Sequence, residues 1–113
     1  MFKSTISLAG ATAVLALAFL NPAQAAPDED AAKALMKAND CTKCHAVDKT
    51  KKGPAFKKIA EKYKGKADGQ SKIVTSLTTG PTVKIDGNEE KHKIVDTKDQ
   101  KELKNLADWI LAQ

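Results

Sequence analysis

Cys41-Thr42-Lys43-Cys44-His45 is the stretch that decides how this chain reads. It is C-x-x-C-H, the attachment signature for c-type haem. Two thiols add across the two vinyl groups of a porphyrin and become thioethers. The two-residue spacer lets both sulfurs reach one side of the ring. His45 then stands beside the haem face, where its imidazole can bind iron. The pentapeptide thus proposes a cofactor (one covalent haem c), its attachment through Cys41 and Cys44, and an iron ligand, His45.

Two other chemistries use a Cys pair. A zinc site needs further Cys or His ligands, and outside the motif the chain has only His92 and no further Cys. A thioredoxin-like dithiol needs a βαβ setting, whereas the flanks here read as helices. A plain disulfide has no use for the adjacent histidine.

The N-terminus fits export. Lys3 is a charged n-region, Ile6 to Leu20 is largely apolar, and Asn21-Pro22 breaks the run. Ala23-Gln24-Ala25 fits the small-x-small cleavage rule. Residues 1–25 therefore read as a cleaved signal peptide and 26–113 as one small domain. The apolar run is short for a membrane span, which needs about 20 residues, so no stable membrane insertion of the mature chain is expected. Haem is joined to C-x-x-C-H outside the cytoplasm, which makes the expected location a bacterial periplasm.

The basic residues number 19 against 14 acidic ones, and every basic residue is Lys. Lys43, Lys49, Lys51, Lys52, Lys57, Lys58, Lys62, Lys64 and Lys66 crowd after the haem motif. An exported chain without Arg and with few aromatics is a poor nucleic-acid binder. A Lys-rich rim at an exposed haem edge would instead steer acidic redox partners. A domain this small buries little apolar surface, so the porphyrin would supply much of the core. Oligomeric state is not legible.

Hydrophobic spacing predicts an all-α chain. Glu29 to Asn39 reads as a helix with Asp28 as N-cap and a stripe of Ala31, Ala32, Leu35 and Met36. Gly53-Pro54 is expected to open a second helix through Tyr63, with Pro54 at its first position. Gly69 to Thr78 forms a third, stopped by Gly80-Pro81. Thr82 to Asp96 is irregular, with Val83 and Ile85 alternating as in a short strand or hairpin arm ending at Gly87. A closing helix carries Leu103, Leu106, Ala107 and Ile110, with Thr97 as cap and Gln100 as capping-box partner.

Taken together, these stretches resemble a class I cytochrome c, especially the small bacterial periplasmic ones. Leu35-Met36 sits where that family has an apolar-aromatic pair. Gly53-Pro54-Ala55-Phe56 matches its Gly-Pro-Ala-aromatic segment. Lys57 to Gly65 matches its second helix, and Leu103 to Leu111 its last. The resemblance covers nearly the whole chain after Ala25. It implies the cytochrome c fold, four short helices around one covalent haem. It also implies that the Pro54 carbonyl accepts the proton on the far nitrogen of His45 and so orients the ring.

One family feature is missing. The usual sixth ligand is a Met ahead of the closing-helix Trp, and this chain has no Met after the haem motif. Met36 belongs to the first helix and reads as core. His92 lies almost at the expected ligand position before Trp109, so it is the expected sixth ligand. Rivals are a water-bound or open site, an amine from Lys91 or Lys93, and, more weakly, Asn88. Imidazole in place of thioether favours ferric iron and lowers the potential. The expected function is a non-enzymatic electron carrier; the alternative is a nitric oxide, carbon monoxide or oxygen binder with a labile sixth site.

Overall fold

The computed structural model describes residue 10 and residues 26–113. The proposed signal peptide lies outside the described residues. Among those residues no helix is long and apolar enough to cross a membrane.

Four helices and one hairpin make up the described chain. α1 spans Glu29–Ala38, α2 Phe56–Tyr63, α3 Gly69–Thr79 and α4 Gln100–Leu111. Between α3 and α4 lie β1, Thr82–Ile85, and β2, Asn88–Lys91. Cys41–Lys43 forms a single 3-10 turn directly after α1.

α1 begins where the sequence predicts. The Asp28 carboxylate accepts a hydrogen bond from the Ala31 amide at 3.0 Å, and Glu29 and Asp30 sit favourably in its first turn. Ala32 and Met36 are buried. Ala31, expected on the same stripe, is exposed, so the buried face is narrower than its alanines suggest.

α4 is the spine of the fold. It packs against α1, α2 and α3, and Leu103, Leu106, Ala107, Trp109 and Ile110 are all buried along it. Met36, Phe56, Ile73, Leu77 and Val95 close the same core.

The caps differ from the expectation at two helices. α4 is capped by Asp99, whose carboxylate accepts from the Lys101 amide at 2.9 Å. Thr97 stands outside the helix, accepting from the Asp99 amide at 3.1 Å and donating to Glu102 at 2.7 Å. α2 begins at Phe56 rather than at Gly53-Pro54, with Ala55 as its N-cap. Its first turn is held from behind instead: the Phe56 amide donates to the Ala46 carbonyl at 2.9 Å and Lys57 to Val47 at 3.1 Å. Pro54 is therefore not the first helical residue.

The irregular region contains a formed two-stranded antiparallel hairpin, with Thr82 opposite Lys91 and Ile85 opposite Asn88. Asp86 and Gly87 both have positive φ, 51° and 82°. That pair of left-handed residues is the primed turn whose twist matches a two-residue hairpin loop, and Asp-Gly is a preferred sequence for it.

Candidate functional site

The chain between α1 and α2 folds back on the pentapeptide. The His45 amide donates to the Cys41 carbonyl at 3.0 Å, and the Gly53 amide donates to the Cys44 carbonyl at 2.8 Å. His45 also forms an isolated antiparallel bridge with Thr50. These bonds hold Gly53-Pro54 beside the histidine ring.

The His45 imidazole is fixed on three sides. Its Nδ1 donates to the Pro54 carbonyl at 2.7 Å. Phe56 stacks on it, ring centroids 5.2 Å apart and planes 21° apart, and Trp109 meets Phe56 edge-on at 5.5 Å. Gly53 presses against the ring from its backbone side. Burial pushes the His45 pKa below its ordinary value, against the pull of the Pro54 carbonyl, and His92 nearby lowers it further. The neutral imidazole that a metal requires is therefore the favoured form.

His92 follows β2. Its amide donates to the Pro81 carbonyl at 2.8 Å, closing the base of the hairpin. Its Nδ1 donates to the Lys93 carbonyl at 2.8 Å. Far from standing free in a polar loop, it is half-buried. The two imidazoles face one region: their centroids are 6.1 Å apart with planes at 46°. Each ring has its Nδ1 tied to a backbone carbonyl, which leaves Nε2 as the unbound nitrogen of both.

Both histidines line a cleft of about 790 Å³. Cys41 and Cys44 lie on its wall and are not joined to each other. Met36, Phe56, Ile59, Val83, Ile85 and Ile110 give it an apolar lining. A cleft of this size and character suits a large flat apolar cofactor. The donor set fits haem c: two thiols for covalent attachment and two imidazoles for iron. Burial raises the Cys41 pKa, the opposite of what a reactive dithiol needs. Among the described residues no cluster of three or more His, Cys, Asp and Glu could hold a metal ion unaided.

The charge around the cleft is predominantly positive. Lys43, Lys52, Lys58, Lys62, Lys84, Lys91 and Lys93 line it, against the carboxylates Asp40 and Glu90 alone. Lys49, Lys51, Lys57, Lys64 and Lys66, grouped with them on sequence grounds, do not line it.

The structure thus brings all five sequence-expected residues, Cys41, Cys44, His45, Pro54 and His92, to one cleft. Sequence reasoning missed three neighbours. Gly53 reads in sequence as the opening of a helix, yet it makes room for the His45 ring. Phe56, part of the Gly-Pro-Ala-aromatic match, is a core residue that also stacks on that ring. Asn39 was read only as a helix end, yet it is buried beside the cleft.

Comparison with known proteins agrees with this geometry. The family model described as cytochrome c matches residues 29–113. Cytochrome c-551 of Azotobacter vinelandii is 32% identical over 78 residues, covering 68% of this chain and 90% of that protein. Cytochrome c-551 of Pseudomonas denitrificans is 48% identical over 46 residues, covering 41% of this chain and 56% of that protein. That match, like the one to the Allochromatium vinosum cytochrome c-551 at 58% of its length, spans little more than half of the relative. Among solved structures, the class 1 cytochrome MtoD from Sideroxydans lithotrophicus ES-1 superposes with a TM-score of 0.73 at 52% identity, covering 77% of this chain and 97% of that one. Cytochrome c552 of Nitrosomonas europaea gives 0.59 at 31% identity, over 71% of this chain and 96% of its own. The chain belongs to the cytochrome c family, with the four-helix fold of its small bacterial class I members and a single covalently bound haem c as cofactor.

Proposed function

We propose that this protein is a soluble electron carrier of the bacterial periplasm, exported by cleavage after Ala25, and that its haem would be held by Cys41 and Cys44 with His45 and His92 as iron ligands. It is a carrier and not an enzyme in this reading. The observation that carries the ligand assignment is the 6.1 Å between the imidazole centroids. Two imidazoles on opposite sides of one metal, each nitrogen about 2 Å from it, have centroids roughly 6 Å apart.

When bound, the haem iron supplies the one-electron step between ferric and ferrous states. The chain's own residues do the rest. The Pro54 and Lys93 carbonyls hold the Nδ1 protons of His45 and His92, fixing both tautomers and both ring directions. Phe56, Ile59, Val83 and Ile85 exclude water from the cleft. Because these bonds tether both imidazoles to the backbone, the chain itself would have little to rearrange between oxidation states. The surrounding lysines attract and orient acidic redox partners.

Imidazole in place of thioether favours ferric iron, so the potential lies below that of a Met-ligated relative. The gas-binding alternative needs an open sixth position, and the tethered His92 opposes it. The test is the optical and paramagnetic resonance spectrum of the holoprotein. Low-spin iron, without a Met-to-iron charge-transfer band and binding carbon monoxide only slowly when reduced, supports the carrier. High-spin iron or ready carbon monoxide binding refutes it.

A further inference from the structure

We infer that Asn39 is a positioning residue for His92: its carboxamide ties the segment carrying the distal imidazole to the helix end that carries the Cys41–His45 pentapeptide. The inference rests on the bis-His reading above.

Asn39 is 4% exposed, and among the described residues it stands alone as a buried polar side chain. It follows Ala32 and Met36 along the buried face of α1, where an apolar residue would be ordinary. A carboxamide placed there costs stability unless both of its ends are bonded. Both are. Nδ2 donates to the Leu35 carbonyl at 3.0 Å, within the last turn of the helix. That local bond fixes the side chain's rotation. Oδ1 then accepts from the Asp96 amide at 2.8 Å, across 57 positions of sequence.

The segment after His92 has no regular structure of its own up to α4. Its amides reach the rest of the molecule at few points. His92 bonds to Pro81 and Val95 to Leu77, each at 2.8 Å. Both of those are backbone pairs that tie the segment to the α3 and hairpin side. The Asp96–Asn39 bond instead joins it to the side that carries Cys41. The parallel link from Lys93 Nζ to Asp40, at 3.3 Å, lies between exposed groups, where ion pairs contribute little. The buried carboxamide is thus the side chain that sets the separation between the two ligand-bearing segments.

The test compares carbon monoxide binding to the reduced holoproteins of the wild type, Asn39→Ala, Asn39→Leu, Asn39→Asp, Asp99→Ala and His92→Ala. Carbon monoxide can enter only when His92 leaves the iron. Asn39→Ala is expected to bind it roughly tenfold faster than wild type, a ratio equivalent to about 1.4 kcal/mol. Asn39→Leu fills the volume but also lacks the acceptor, so it behaves like Asn39→Ala and serves if that variant fails to assemble. Asn39→Asp keeps an acceptor oxygen but has no donor for the Leu35 carbonyl and buries a carboxylate against it, so it too binds faster than wild type. Asp99→Ala weakens the fold through the α4 cap and leaves the rate unchanged. If both Asn39→Ala and Asn39→Leu lower the unfolding midpoint yet bind at the wild-type rate, Asn39 is structural only and the inference is overturned. If His92→Ala itself matches the wild type, the bis-His reading falls, and this inference with it.

Discussion

Gly53 lies so close to the His45 imidazole that a Cβ at position 53 would stand 2.5 Å from Cε1 and 2.9 Å from Nδ1. Real Cβ atoms essentially never come that near another heavy atom. The ring cannot retreat either, because Phe56 stacks on it and Pro54 holds its Nδ1. The glycine is therefore part of the device that aims His45. Gly53→Ala should destabilise the holoprotein by about 1–3 kcal/mol, the usual cost of overpacking. It should also perturb the haem spectrum through the tilted imidazole. Denaturant unfolding followed in the haem band checks both effects, and a variant that matches wild type in spectrum and midpoint contradicts the contact.

Asp40 connects the two sides of the cleft. It follows α1 with a left-handed backbone, φ 56°, and its carboxylate reaches Lys93 at 3.3 Å and Lys43 at 3.5 Å. The hydrogen bond from Lys93 is the largest influence holding its pKa below the ordinary 3.8, with the nearby Lys43 charge next. The sign follows from linkage. The unfolded carboxyl takes up a proton at higher pH than the folded one. The stabilisation is thus fully present above about pH 3.8 and is lost as the pH falls through the lower folded value. Titration of the Asp40 carboxyl by NMR should give a value under 3.8, and Lys93→Ala should raise it. High salt should raise it too, because both groups are exposed.

The seven lysines that line the cleft predict a kinetic effect more than a stability effect. Reversing Lys52 and Lys62 together to Glu should leave the fold and the haem spectrum intact, since both are exposed. Electron transfer with an acidic redox protein should slow by about tenfold or more at low ionic strength. The difference should shrink as salt screens the field over a Debye length of about 10 Å at 0.1 M. Stopped-flow rates across a salt series are the measurement. A double variant as fast as wild type at low salt would show that partners dock elsewhere.

The parts of this site that are legible in the sequence are the local ones. Cys41, Cys44 and His45 declare themselves because the attachment chemistry fixes their spacing. Pro54 and His92 come from comparison with a family pattern, and the structure brings both to the cleft. The helices are legible because burial of one face imposes a 3.6-residue period, as on Leu103, Leu106 and Ile110 of α4. Other features depend on contacts that no period encodes. Asn39 reads as a helix end until Asp96 is seen beside it. Gly53 reads as punctuation until the His45 ring is placed. Thr97 and Asp99 are both good capping residues only two positions apart, and the choice between them is made by which carboxyl or hydroxyl meets the first free amides. The hairpin is an intermediate case. Asp86-Gly87 carries its turn signal, but Val83 and Ile85 alone suggest only one arm, because the β2 residues are all exposed.

The identity of the distal ligand has the largest functional consequence. In the proposed bis-His site His92 takes the place that the resemblance to class I cytochromes c assigns to Met, so His92→Met should convert one coordination type into the other within the same fold. The backbone of the segment is held independently of the imidazole, by the bonds from His92 to Pro81, Val95 to Leu77 and Asp96 to Asn39. A methionine side chain presented there can therefore reach the same cleft. A thioether stabilises the ferrous form relative to imidazole, so the potential must rise. Axial ligation spans roughly 0.8 V in all haem proteins, and each 59 mV or so of it changes the ferrous-to-ferric ratio tenfold. A rise well short of the full range is thus enough to turn a downhill acceptor into an uphill one. Redox titration of the two holoproteins reads the shift, and the Met-to-iron charge-transfer band should appear in the variant's ferric spectrum. An unchanged potential with no new band would mean that His92 is not on the iron, leaving the low-potential carrier without its basis.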